Sequence, residues 1–281
     1  MIIWLASYPK SGNTWVRSFL TAYYHSPEGE FNFELLNNIK QYPTSEFFDE
    51  KIDSPDKINL YWEKSQQKII SQKKIVILKT HNSLSGINSN FFTTPKTSIG
   101  SIYVVRDPRN VLTSIKNHYE FNYEETLEFM KNENKYIFDN RQKDKIDYAT
   151  THFLSSWSNH YKSWMNSNSL RRMVIKYEDL VKDPYEVFRD LIVYVNTLSR
   201  KNEKVNKSKL IRSIETTSFK NLKLKEEKGE FLENVYGENK NKITFFNLGP
   251  ENYWKKNIPE KMHKKVNNTF KDDLKNLDYQ E

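Results

Sequence analysis

The sequence predicts an α/β fold in which a central parallel sheet is flanked by helices, and three observations predict it. Four short apolar runs, Ile2-Ile3-Trp4-Leu5-Ala6, Ile75-Val76-Ile77-Leu78, Ile102-Tyr103-Val104-Val105 and Met173-Val174-Ile175, have the continuity of strands buried on both faces. Between them, apolar residues recur at helical spacing, as in Val16, Phe19, Leu20 and Tyr23. Strands alternating with helices imply crossover connections and a parallel sheet covered on both sides. Thirdly, the runs give way directly to polar residues, where open α/β sheets carry their chemistry.

A chain of 281 residues suits one such domain, spanning 1–281, with variable inserts near 26–60, 120–147 and 220–242. Apolar residues make up only 37%, but aromatics at 14% supply bulky core material and flat faces for a planar ligand. Cysteine is absent, which excludes disulfides and thiolate metal sites. No His/Asp/Glu group has ligand spacing, so no metal is expected. A basic leader with an apolar core is missing, as is an apolar span of about 18 residues. The expectation is a cytoplasmic protein with no transmembrane segment. The net charge of +8 suits an anionic ligand, yet much of it lies in connectors such as that holding Lys201, Lys204, Lys207 and Lys209, where charge is ordinary solvated surface. Nucleic acid is not the expected partner, and oligomeric state is left open.

The first strand runs into Ser7-Tyr8-Pro9-Lys10-Ser11-Gly12-Asn13-Thr14-Trp15, and a helix follows. Leading N–H groups of a helix lack internal partners and point at an anion. Lys10 adds a mobile charge, the Ser11 and Thr14 hydroxyls can donate, and Gly12 permits close backbone approach. A nucleotide-triphosphate loop needs two glycines and then Lys-Ser/Thr. Here Lys10 precedes the only glycine, so that pattern fails.

Residues 26–60 are polar and punctuated by Pro27, Gly29, Pro43 and Pro55, reading as short helices and loops, with a helix over 61–71. The second strand ends in Lys79-Thr80-His81; a histidine there is either a base or a loop residue bonded to backbone. Residues 82–98 read as a loop. The third strand ends in Arg106-Asp107-Pro108, a helix start with Asp107 as N-cap, so Arg106 and Ser114 can meet at one junction. An arginine with a hydroxyl suits a phosphomonoester, the alternative being that Arg106 pairs with Asp107 or a neighbouring carboxylate. Residues 120–147 read as an irregular charged flap or pair of short helices. A helix with Phe153, Leu154, Trp157, Tyr161, Trp164 and Met165 on one face reads as core. The fourth strand leads to Tyr177-Glu178-Asp179-Leu180 and a helix with Val187, Phe188, Leu191 and Ile192; a short helix over 208–215 precedes Thr216-Thr217-Ser218-Phe219. Residues 220–242 read as a charged loop, and the last helix, from Met262 to Leu277, as packing.

Tyr8-Pro9-Lys10-Ser11-Gly12-Asn13-Thr14-Trp15 resembles the 5′-phosphosulfate loop of sulfotransferases that use 3′-phosphoadenosine 5′-phosphosulfate (PAPS). Arg106-x7-Ser114 resembles their 3′-phosphate segment, and Tyr177-Glu178-Asp179-Leu180, Thr217-Ser218-Phe219 and Phe245 to Gly249 with Trp254-Lys255 are similar to later segments. The likeness runs in order from Trp4 to about Lys255. It implies a P-loop nucleotide-kinase-like fold and sulfuryl transfer from PAPS to a hydroxyl or amine of a small-molecule, carbohydrate or lipid acceptor. It makes His81 the general base, Lys10 the group at the bridging oxygen and Lys79 the group that holds the sulfonate. Arg106 and Ser114 would bind the 3′-phosphate, with Ser114 also restraining Lys10. Ser11, Gly12, Asn13 and Thr14 would cradle the 5′ end. Trp15 and Phe219 would sandwich the adenine near Tyr177, with Thr217, Ser218 and Gly249 completing the site. The main departure is Asn247-Leu248, where many cytosolic members have Arg-Lys before the glycine; Lys240, Lys242 or Lys255 would have to substitute. The rivals are an ATP-dependent kinase on the same fold, which would require magnesium, and a non-catalytic basic protein binding nucleic acid, whose affinity would fall steeply with salt.

Overall fold

The structure is a computed structural model describing residues 1–72, 74–138, 147–237 and 241–279. Four strands, β1 (Ile2–Ser7), β2 (Val76–Thr80), β3 (Ser98–Val105) and β4 (Arg171–Lys176), form one sheet in the order β2-β1-β3-β4. Every pairing in it is parallel. All six residues of β1 are buried, and they divide as a two-residue period demands. Ile2, Trp4 and Ala6 enter one core, Ile3 and Leu5 the other. Trp4 packs tilted against Tyr42 and Phe92, and its indole N–H donates to the Ser98 hydroxyl at 2.8 Å.

Helices cover both faces. α1 (Asn13–His25) leaves β1 and α2 (Trp62–Ile70) precedes β2; α3 (Pro108–Tyr119) and α4 (Tyr123–Lys131) follow β3. α5 (Trp157–Met165) leads into β4, and α6 (Tyr177–Lys182), α7 (Pro184–Leu198), α8 (Lys207–Thr216) and α9 (Phe219–Glu227) follow it. α1 meets α7 on the second face, where Phe19 and Phe188 stack at 3.8 Å with 12° between their planes.

The register positions the site. Leu5 lies beside Lys79, Ala6 beside Thr80, Ser7 beside Val104 and Val105 beside Lys176. The strands therefore end level, and the residues that follow them, Tyr8, His81, Arg106 and Tyr177, emerge along one edge. β1 and β3 are neighbours whose onward connections depart to opposite sides, the switch point at which such sheets bind ligands.

Three irregular readings are corrected. Residues 82–98 contain the antiparallel pair Gly86–Ile87 with Asn90–Phe91, and β3 already begins at Ser98. Within 120–147, α4 starts on a reciprocal Asn122/Glu125 cap and Tyr136–Ile137 pairs with His152–Phe153; residues 139–146 lie outside the described residues. Alternate polar and apolar residues on such short pairs carry too few repeats to register in sequence. Within 220–242, α9 reaches Glu227 and Val235–Tyr236 pairs with Lys242–Ile243, with 238–240 outside the described residues. The 26–60 insert holds the expected short helices, at Phe33–Asn38, Ser45–Phe47 and Pro55–Tyr61. Its residues 40–42 run beside β2, with Lys79 N donating to Lys40 O at 2.9 Å and Tyr42 N to Lys79 O at 2.7 Å.

Candidate active site

The strand ends open into one cavity of about 1110 Å³. The loop after β1 forms its floor. Lys10 and Gly12 both have positive φ, 66° and 103°. Gly12 is required on two counts: that φ is strained for a side chain, and a Cβ would stand 2.5 Å from the Tyr177 ring. α1 starts without a side-chain cap, so its leading N–H groups are left for an anion. Asn13 fixes the turn, its amide donating to Leu5 O and Ser7 Oγ at 3.2 Å each.

His81 stands beside this loop. Its Nδ1 donates to the Ser7 carbonyl at 2.8 Å, so Nε2 is the nitrogen that carries the lone pair. The backbone-bonded alternative is thus the one observed, and that bond fixes the tautomer that a base would require. Burial, then Lys79 and His152, push its pKa well below the ordinary histidine value, which keeps the ring neutral. Lys79, only 6% exposed, is brought down to about 8, mainly by burial, with Glu233 opposing. Lys10 is brought down to about 7, again mainly by burial. Its ammonium lies 3.9 Å over the Phe245 ring and 3.5 Å from His118 Nδ1.

Arg106 is buried, stacked 4.0 Å over Tyr177, and its Nη2 donates to the Gly249 carbonyl at 2.8 Å. Asp107 is taken by Arg109 at 2.7 Å, so it is not the partner of Arg106, whose hydrogen bonds go to backbone carbonyls. Arg106 Nη1 is 3.5 Å from Lys10 O, which makes the two predicted anion pockets contiguous. Ser114 lines the cavity, but its Oγ accepts from Asn252 at 3.0 Å; the group beside Lys10 is His118, one turn further along α3.

Most of the predicted residues share this cavity: Lys10, Gly12, Asn13, Thr14, Trp15, Lys79, His81, Arg106, Ser114, Tyr177, Phe219 and Gly249 all line it. Ser11, Thr217 and Ser218 do not. Thr217 Oγ1 donates to Ser213 O at 2.6 Å at the C-terminal end of α8, and Ser218 caps α9 by accepting from Asn221 N. Trp15 meets Tyr177 and Phe188 edge-on rather than facing Phe219. Asn247 and Leu248 line the wall where Arg-Lys was missing, while Lys242 donates to Glu226 O at 3.5 Å and Lys255 lies 5.4 Å over Trp254, neither on the cavity. Lys240 lies outside the described residues. Sequence reasoning missed Gln41, His118, His152 and Glu233, all on the wall. Glu233 accepts from Arg17 at 2.6 Å and lies 3.9 Å from Lys79. Of these only His118 left a signal, four residues after Ser114 on one helix face.

The residues fit a nucleotide carrying anions at two positions. Arg106 Nε and Trp15 Nε1, on residues that line the cavity, are buried polar atoms with no partner, the condition of donors built for a ligand. The sulfotransferase domain model matches residues 2–278. The chain belongs to the sulfotransferase domain family. It is a sulfotransferase of α/β fold. Its fold is that of mouse sulfotransferase SULT7A1 complexed with PAP, at 18% identity and a TM-score of 0.58, over 98% of this chain and 84% of that one. It is equally similar to retinol dehydratase in a complex with retinol and PAP, at 18% identity and 0.60, over 100% and 83%. Retinol dehydratase with androsterone and inactive cofactor PAP matches at 17% and 0.60, over 100% and 82%. No curated protein matches the chain. Among the described residues of this sulfotransferase no helix is long and apolar enough to cross a membrane, and no cluster of three metal-ligating side chains occurs.

Proposed function

We propose that residues 1–281, acting as one domain, move a sulfuryl group from PAPS to a hydroxyl or amine of a small-molecule, carbohydrate or lipid acceptor. The observation that carries this reading is the convergence of the Lys10 loop, Arg106, Lys79 and His81 on one cavity, with Arg106 Nη1 3.5 Å from the Lys10 carbonyl. One adenosine bisphosphate can bridge pockets so placed. The donor, when bound, supplies the sulfuryl group and a leaving 5′-phosphate. His81 Nε2 takes the acceptor proton as the acceptor oxygen bonds to sulfur and the sulfur–phosphate oxygen bond breaks. Lys10 neutralises charge on the departing phosphate, and Lys79 holds the sulfonate in line. Arg106 and Ser114 hold the 3′-phosphate, and His118 with Phe245 parks Lys10.

Calorimetry tests the donor. The bisphosphate is expected to bind more tightly than ADP or ATP, without magnesium; preference for ATP with magnesium would return the kinase reading. His81→Ala is expected to abolish transfer while keeping bisphosphate affinity, and undiminished turnover would remove His81 as base.

A further inference from the structure

We propose that Gln41, aligned by His152, orients the acceptor by reading a second oxygen beside the hydroxyl that reacts, so that the acceptor is a ring carrying a vicinal diol. This rests on the function proposed above. Gln41 lies on the segment that runs beside β2, bridged to Lys79, so its backbone is fixed next to the sulfonate-holding lysine. His152, 2% exposed, stands opposite Ile137 on its short antiparallel pair. Gln41, His152, Lys79 and His81 all line the cavity.

The hydrogen bonds assign the tautomer. The backbone N–H of His81 donates to His152 Nδ1 at 3.3 Å, and the Asn82 amide lies 3.4 Å from the same nitrogen. Nδ1 therefore carries the lone pair, and the neutral ring holds its proton on Nε2. Asn82 is itself fixed, its Oδ1 accepting from Phe153 N at 2.8 Å. His152 Nε2 lies 3.3 Å from Nε2 of the Gln41 amide. Two N–H groups face to face make no bond, so the amide oxygen and nitrogen are assigned the other way round, with Oε1 on the ring and the NH2 towards the cavity that Gln41 lines. A chain of bonds thus runs from the backbone of His81, through His152, to a neutral donor on the wall of the cavity that His81 also lines. A neutral amide N–H suits a hydroxyl oxygen. Tyr119, Phe121, Phe129 and Tyr136 line the same cavity and offer faces for a ring. An acceptor with a single hydroxyl would leave the amide N–H unpaired in a desolvated site, the situation in which such sites discriminate.

Catechols and alicyclic diols of the sugar type share this chemistry, and two arms separate them: catechol against phenol, and cyclohexane-1,2-diol against cyclohexanol. In at least one arm kcat/KM should favour the diol by about tenfold. Gln41→Leu and His152→Phe should bring that ratio close to one, and His152→Gln, which can still accept and donate, should restore part of it. The ratio is read within each variant, so a general loss of activity does not enter it. A wild-type ratio near one in both arms, no transfer to any of the four, or a ratio unchanged in Gln41→Leu overturns the inference. Bisphosphate binding, measured on the same samples, separates the two failures: loss of that binding in the wild type would overturn the donor reading instead.

Discussion

Replacing Arg106 by alanine probes the joint between the two anion pockets. The guanidinium is 5% exposed, donates to Gly249 O at 2.8 Å, stacks 4.0 Å over Tyr177, and keeps Nε buried without a partner. A 3′-phosphate reaching that edge gains a charge-assisted hydrogen bond worth about 1.5–3 kcal/mol. At about 1.4 kcal/mol per tenfold, Arg106→Ala should weaken bisphosphate binding by about 10- to 150-fold. Because the arginine also holds Gly249, a fall in affinity alone does not prove contact with the 3′-phosphate. The assay is therefore calorimetry with adenosine 3′,5′-bisphosphate and with adenosine 5′-monophosphate, on both proteins. Wild type should prefer the bisphosphate, and the variant should lose that preference. Arg106→Lys, with its charge but without a planar fork, should fall between them. If Arg106→Ala weakened both nucleotides equally, the 3′-phosphate would lie elsewhere and the bridging argument would fail.

Two further outcomes follow from the same cavity. Lys10 and Lys79 have pKa values brought down by burial to about 7 and about 8, so each loses its proton as pH rises through that value, whereas a bound anion favours the charged form. Bisphosphate binding should then take up protons above pH 7 and weaken from about pH 7 to 9, measurable by calorimetry in buffers of different ionisation enthalpy; affinity independent of pH over that range would show that neither lysine faces the ligand. Gly12→Ala should lower both the melting temperature and bisphosphate affinity, the latter by about tenfold or more, because φ of 103° strains any side chain and the added Cβ would press on Tyr177 at 2.5 Å. Wild-type melting and binding in that variant would show that the loop has another conformation open to it.

How far the sequence could be read depended on how local each signal was. The β1 loop, Arg106 after β3 and His81 after β2 were legible because each is a short motif at the end of a buried run. Thr217 and Ser218 stand in a family-like triplet, yet their hydroxyls are spent on the end of α8 and the start of α9. Which way a hydroxyl turns at a helix end depends on caps, and the triplet does not carry that information. The α3 side chain that meets Lys10 is likewise His118 and not Ser114, which is engaged by Asn252, 138 residues away.

The sequence by itself determined the parallel sheet, the strand ends that bear chemistry and the residue types gathered there, because burial periodicity and turn chemistry act over a few residues. Tertiary structure alone decided which distant groups surround them: His152 beside His81, Glu233 beside Lys79, and Gln41 beside Lys79 and His152. Those contacts are set by strand register and by segments folding back over the sheet. The same register buries Lys10, Lys79 and His81 together, and it is burial that shifts their protonation.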